Sequence, residues 1–225
     1  MITDLEYLKT VDTPTLSNAI ELLKVRRRSE GFTPLGVRCL FPEFGRMAGY
    51  AVTAQVETMT EATPGDVAGH IELYKLLESA PKPAIIVLQE IGGFGDYAAH
   101  CGEVMATFFT RLGAIGLLSD CAVRDIPEVR ALGFHYFSRG VCASHAYFRV
   151  IRCGLPVTIC GMPVRQGDLL HGDENGLLSI PDVPLEELKQ AVDQIRSSEK
   201  KIMDYAKSPE FTLAGFAAMV GKKYS

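Results

Sequence analysis

Two short apolar runs limit what this chain can become. Residues 85–88 in "KPAIIVLQE" and 115–118 in "GAIGLLSD" are too short for core helices and lack polar alternation. That is the pattern of strands buried on both faces. Between them lie a glycine-rich turn, "IGGFGDYAAH", and an amphipathic stretch, "CGEVMATFFTRLG", ended by Gly113. A short helix, "IPEVRALG", and a third strand, "FHYFSRG", follow. Strand, helix, strand, helix, strand at this spacing predicts right-handed crossovers and a largely parallel sheet.

The flanks extend an α/β reading. Thr13 and Pro14 open a helix, with Leu16, Ala19, Ile20 and Leu23 as its apolar stripe. "GRMAGYAVTAQVET" (45–58) alternates like a strand, "TPGD" (63–66) is a turn, and "GHIELYKLLESA" reads as a helix of about three turns. Beyond Arg149, short β-rich runs broken by Gly, Pro and "GDENG" predict antiparallel hairpins. A long amphipathic helix over about 185–207 closes the fold, and no linker interrupts the chain. The expectation is one domain over 1–225, its core at about 12–181.

Composition excludes several classes. The 225 residues are 47% hydrophobic, with mixed charges and a net charge of -4, so no basic face for nucleic acid is expected. The one dense basic run, "KVRRRSE" (24–30), reads as a solvated helix end, with phosphate or RNA contact as the lesser alternative. No apolar run approaches the ~20 residues of a membrane span. The acidic start "MITDLEYLKTVDT" has no signal-peptide core, which points to the cytoplasm. The six cysteines form no CxxC pair, so reduced, buried thiols are expected and no zinc is implied.

The strand ends hold the chemistry. Ligands of open α/β sheets bind beyond the carboxyl ends of the strands, where "GGFGDYAAHCGEV" and "SDCAVRD" stand here. If the two strands are neighbours, the glycine loop, the helix start at Gly102 and Glu103, and the Arg124–Asp125 pair converge on one cleft. Free amides at a helix start favour a carboxylate or phosphate. An arginine fork clamps a carboxylate, and an aspartate offers a hard oxygen to Mg2+, which commonly takes only one or two protein carboxylates. Such a cleft suits a small metal-chelating acid, such as a 2-oxo acid.

Plainer readings stand beside these. Arg124 and Asp125 could be a surface pair worth under ~1 kcal/mol. "GGFG" departs from the dinucleotide fingerprint and fits turn geometry better. Glu103 could simply complement a helix dipole. His100 and Cys101 read as partly buried bystanders, and Asp168, His171, Asp173 and Glu174 as a hairpin turn rather than a metal cluster. His70, His135 and His145 show no pattern.

The ordered set "GEV" (102–104), "GAIGLLSDCAVRD" (113–125), "FSRG" (137–140) and "VRQGDLLHGDENGLLSIP" (164–181), with "GRMAGYAVTAQ" from Gly45, resembles one family across about residues 12–199. This is the family of the regulator of ribonuclease E activity A and the class II 4-hydroxy-4-methyl-2-oxoglutarate/4-carboxy-4-hydroxy-2-oxoadipate aldolases. The resemblance implies a ββα-type sandwich of the swivelling-domain kind, assembled as homotrimers or homohexamers with sites between protomers. It implies that Arg124 holds substrate, that Asp125 ligates Mg2+ or Mn2+, and that the amides of Val104 and Met105, beside Gly102, take a pyruvyl carboxylate. Glu103 would support the metal's waters, Glu199 would reach in from a neighbour, and Asp120 would stand behind the site. Two departures concern proton handling and specificity: Asn18 replaces a first-helix glutamate, and Cys121 replaces a glycine. The implied activity is a metal-dependent retro-aldol release of pyruvate, with possible oxaloacetate decarboxylation. The alternative is a regulator that binds and inhibits a ribonuclease.

Overall fold

A computed structural model describes residues 4–61, 63–93 and 95–224, with backbone only for 222–224. The chain begins with helices α1 (Leu5–Lys9) and α2 (Thr13–Leu23), then strands β1 (Arg38–Cys39) and β2 (Met47–Glu57). Next come α3 (Val67–Ser79), β3 (Ala84–Glu90), α4 (Glu103–Arg111), β4 (Ala114–Ser119), β5 (Ala122–Val123) and α5 (Ile126–Ala131). β6 (His135–Ser138), β7 (Gly140–Val141), β8 (Arg149–Cys153), β9 (Val157–Ile159) and β10 (Met162–Val164) lead to β11 (Leu169–Asp173) and β12 (Gly176–Ile180). Two helices, α6 (Leu185–Lys207) and α7 (Leu213–Tyr224), end the chain.

The main sheet has the order β1-β6-β4-β3-β2-β11-β12, with β8 also on β2. β2, β3, β4 and β6 run parallel as their spacing predicts, while β1, β8, β11 and β12 join antiparallel, so the sheet is mixed and partly parallel. β3 shows why its sequence lacks alternation. Ala84, Ile86 and Leu88 pack toward α3 and α4, while Ile85 and Val87 enter a second core with Val157, Ile159 and Met162 of the β9–β10 hairpin. Each fully buried aliphatic side chain contributes about 2 kcal/mol, so a polar residue on either face would be costly. The sheet curls until β6 meets β11, and a methyl group at Gly172 would stand 2.8 Å from the Phe137 ring. A third cluster joins α1, α2 and α6 to β11 and β12 through Leu16, Ile20, Leu188 and Val192.

Several expectations change. α2 stops at Leu23 and Lys24 turns left-handed, so "KVRRRSE" is a loop rather than a helix end. Arg26 in it is no solvated charge: it donates to Ser179 O at 2.8 Å. The hairpin-turn reading of "GDENG" holds: Asp173 accepts from the amides of Thr13 and Asn175 where β11 turns into β12, and His171 meets Thr13 Oγ1 and Leu8 O in the core. All six cysteines are free, but only Cys101 and Cys121 are buried: Cys39, Cys142 and Cys153 are half-buried and Cys160 is exposed. Of the glycine-rich turn, position 94 lies outside the described residues, as do positions 1–3 of the acidic start. Among the described residues no helix is long and apolar enough to cross a membrane.

Candidate functional site

β3 and β4 are parallel neighbours, Leu88 pairing with Ser119, so their ends open on the same edge. Beyond β3 the chain returns as residues 98–101, which run beside β5. The Ala122 amide donates to Ala98 O, the His100 amide to Ala122 O, and the Arg124 amide to Cys101 O, at 3.2, 2.9 and 2.9 Å. This ladder holds Gly102, which precedes α4, against Asp125, which precedes α5.

The two elements meet through specific atoms. Asp125 Oδ2 accepts the Glu103 amide at 2.8 Å and lies 3.6 Å from Arg124 Nε. Both acidic and basic side chains are about one-third exposed, at 36% and 35%, so neither is lost to the core. Asp125 has a left-handed backbone (φ 57°), which aspartate tolerates better than most residues. α4 starts with unpaired backbone donors, as every helix does. Asp125 uses that of Glu103, and Val104 and Met105 carry the next ones at the positive end of the dipole.

A cleft of about 220 Å³ adjoins this junction, lined by Arg124, Asp125, Gly102, Val104 and Met105. His70, His100, His145 and Phe148 complete its wall. The His145 loop is tied in by the Ala99 amide, which donates to Ser144 O at 2.8 Å. Behind the wall, Glu90 accepts from Thr58 Oγ1 and the Gly92 amide and meets His100 Nε2 at 3.1 Å, while His100 Nδ1 meets Ser119 Oγ at 2.9 Å. Burial alone would raise the Glu90 carboxyl, yet these hydrogen bonds hold it below its ordinary value. Asp120 accepts the Glu90 amide at 2.8 Å, and burial pushes its carboxyl up to about 6.

The cleft therefore gathers Arg124, Asp125, Gly102, Val104 and Met105, as the sequence led one to expect. It does not gather the rest. The Glu103 carboxylate is exposed on the first turn and does not line the cleft, and the glycine loop packs instead near Glu57, Glu90 and Cys121. Asp120 stands behind the wall, and Glu199 on α6 accepts from Asn18 Nδ2 at 3.3 Å, away from the cleft lining. His100 is no bystander, and His70 and His145 gain meaning only from loop closure.

The donor set fits a magnesium-like ion. One Asp125 oxygen is committed to the Glu103 amide, while the other has no hydrogen-bond partner among the described residues. A half-exposed carboxylate with one free oxygen beside open volume matches a cation that keeps most of its waters.

Residues 13–178 match the profile of a family described as RraA-like, Aldolase/RraA. A Halalkalibacterium halodurans protein, provisionally named 4-hydroxy-4-methyl-2-oxoglutarate aldolase, is 29% identical over 212 residues, covering 87% of each chain. Protein DlpA of Legionella pneumophila is 27% identical over 128 residues, 56% of this chain but only 20% of DlpA, so the chain spans a fifth of that relative. Among solved structures, Streptomyces coelicolor RraAS2, described as an unusual member of the RNase ES inhibitor RraA protein family, has a TM-score of 0.66 and 23% identity. That match covers 91% of this chain and 96% of RraAS2, and at this identity it is a likeness of fold alone.

Proposed function

The chain belongs to the RraA-like, Aldolase/RraA family, and from that premise we propose that it is a divalent-metal-dependent lyase that cleaves a 4-hydroxy-2-oxo acid to release pyruvate. Oxaloacetate decarboxylation is its expected second activity. The observation behind this reading is the junction of Arg124, Asp125 and the amide-bearing start of α4 at one cleft.

Each residue has a physical task. The amides of Val104 and Met105 receive the pyruvyl carboxylate, and Gly102 lets that helix start approach the acid. Arg124 orients the 2-oxo acid with its planar fork. Asp125 would hold Mg2+ or Mn2+ through its free oxygen, and the exposed Glu103 carboxylate on the adjoining turn would at most support the ion's waters. The ion, when bound, supplies positive charge that favours an enolate. As the bond between C3 and C4 breaks, its electron pair moves onto the 2-oxo group, where Arg124 shares the charge. The 4-hydroxyl loses its proton and becomes the carbonyl of the departing fragment. His145, exposed at the cleft, is the acceptor for that proton in this reading. Decarboxylation of oxaloacetate passes through the same enolate and has no such proton to remove.

Asp120 is a positioning residue, acting through the Glu90 amide. Glu199 and Asn18 lie together on the α2–α6 face and would reach a cleft only from a neighbouring protomer, in a homotrimer or homohexamer. The test is a coupled assay of pyruvate release from oxaloacetate and 4-hydroxy-4-methyl-2-oxoglutarate. Turnover should vanish with EDTA, return with Mg2+ or Mn2+, and be lost in Asp125→Asn. Turnover that survives EDTA or the Asp125→Asn change would overturn the mechanism. The family's double description, together with the RNase ES inhibitor family named for the RraAS2 structure, supports a second reading, a ribonuclease-binding regulator. Tight ribonuclease binding without turnover would establish it instead.

A further inference from the structure

Glu90 ends β3, His100 lies in the segment entering α4, and Cys121 follows β4. Their ligand atoms all lie within 4.8 Å of one another. We propose that these three side chains form a site for a thiophilic divalent cation, Zn2+ or Co2+, separate from the carboxylate of Asp125.

The distances are close to those around an ion. His100 Nε2 is 3.1 Å and Cys121 Sγ 3.9 Å from Glu90 Oε2. Around a tetrahedral zinc, with bonds of about 2.0–2.3 Å, neighbouring ligand atoms stand roughly 3.3–3.7 Å apart. The nitrogen–oxygen pair must open, and the sulfur–oxygen pair close, by a few tenths of an ångström, while the sulfur–nitrogen pair, within 4.8 Å, closes as the Cys121 side chain turns toward the ion. One imidazole, one thiol and one carboxylate form a donor set that zinc accepts and that magnesium, which prefers oxygen alone, does not.

The surroundings are already arranged for coordination. Ser119 Oγ contacts His100 Nδ1 at 2.9 Å and accepts the Cys121 amide at 2.9 Å, so one hydroxyl orients two ligands. Thr58 Oγ1 donates to Glu90 at 3.0 Å. Such outer partners fix ring orientation and tautomer in metal sites. The Glu90 and His100 side chains are 4% and 0% exposed and Cys121 is fully buried, while the His100 residue borders the cleft. A plain hydrogen-bond network accounts for Glu90 and His100 but leaves the thiol with a contact at the far limit for sulfur.

Coordination balances simply. Cys121 releases its thiol proton to solvent, and neutral His100 keeps its proton on Nδ1, facing Ser119, so that Nε2 is free for the ion. The ion would tie the His100 segment of the cleft wall to the ends of β3 and β4 behind it. This site is independent of the lyase reading.

The experiment uses the full chain stripped of metal and titrated with Co2+. The expected result is a thiolate-to-cobalt charge-transfer band in the near ultraviolet, saturating at one equivalent and displaced by Zn2+. The band should persist in Asp125→Asn and disappear in Cys121→Ala. Zinc affinity by chelator competition should fall at least about 10- to 100-fold in Cys121→Ala, the loss typical even of outer partners. If that variant does not fold, Cys121→Ser, which keeps the side chain's size, should likewise lose the sulfur band. Cobalt bound without a thiolate band, an undiminished band in either Cys121 variant, or a band lost in Asp125→Asn would each overturn the site.

Discussion

Gly102 and Asp125 are packed so closely that a methyl group on the glycine would stand 2.3 Å from the aspartate Oδ2 and 2.9 Å from Arg124 Nε. The Gly102 backbone is extended (φ -136°), so space and not conformation requires glycine here. Gly102→Ala must push Asp125 off the Glu103 amide. Pyruvate release should fall about 100-fold, the effect of a misplacement near 1 Å, with an unchanged far-ultraviolet circular dichroism spectrum. Wild-type turnover in that variant would dismiss the junction as the reacting site.

Arg124→Lys keeps the charge and loses the planar fork. If Arg124 shares enolate charge, both pyruvate-releasing reactions should slow by roughly 100- to 1,000-fold. Steady-state kinetics on the two substrates measures this, and a change confined to KM would show that Arg124 merely binds.

His145→Ala separates the two reactions. Loss of a general base should lower kcat for aldol cleavage by about 100- to 10,000-fold. Oxaloacetate decarboxylation, with no hydroxyl proton to remove, should change only a few-fold. Equal losses on both substrates would assign His145 to binding.

Stability should decline in acid because of buried imidazoles. Burial pushes His135 and His171 down to about 4, against an ordinary value near 6.5. The unfolded chain thus binds more protons in that interval, and stability drops as pH falls from about 6.5 toward 4. His135 Nδ1 is buried without a hydrogen-bond partner among the described residues, and its ring packs against those of Phe44 and Phe137. His135→Phe should add about 1 kcal/mol at neutral pH and flatten the acid limb of a urea-midpoint profile. An unchanged acid limb would disprove this account.

Some of the molecule was readable from residues alone. β3 and β4 announced themselves because both of their faces are buried, which leaves no alternation in the text. α2 was legible from the Pro14 start and its apolar stripe, and α6 from its long amphipathic pattern. Arg124 and Asp125 stood out because charges directly after a buried strand emerge where parallel sheets bind ligands. By contrast, the two-residue strands β1, β5 and β7 are too short to carry any period. The basic run misled because Arg26 turns back onto β12, a contact made 153 residues away.

What the linear order of residues determined, then, was the alternation of strands and helices and the pair of charges at one strand end, since both depend on neighbours a few positions apart. Which side chains share a wall was decided only by the folded chain. Cysteine spacing held no CxxC pair, yet the closing of residues 98–101 against β5 brings Cys121, Glu90 and His100 within 4.8 Å and sets His70 and His145 at the same cleft. Such meetings follow from strand register and loop closure, which are set by the summed packing of three cores and not by any local pattern.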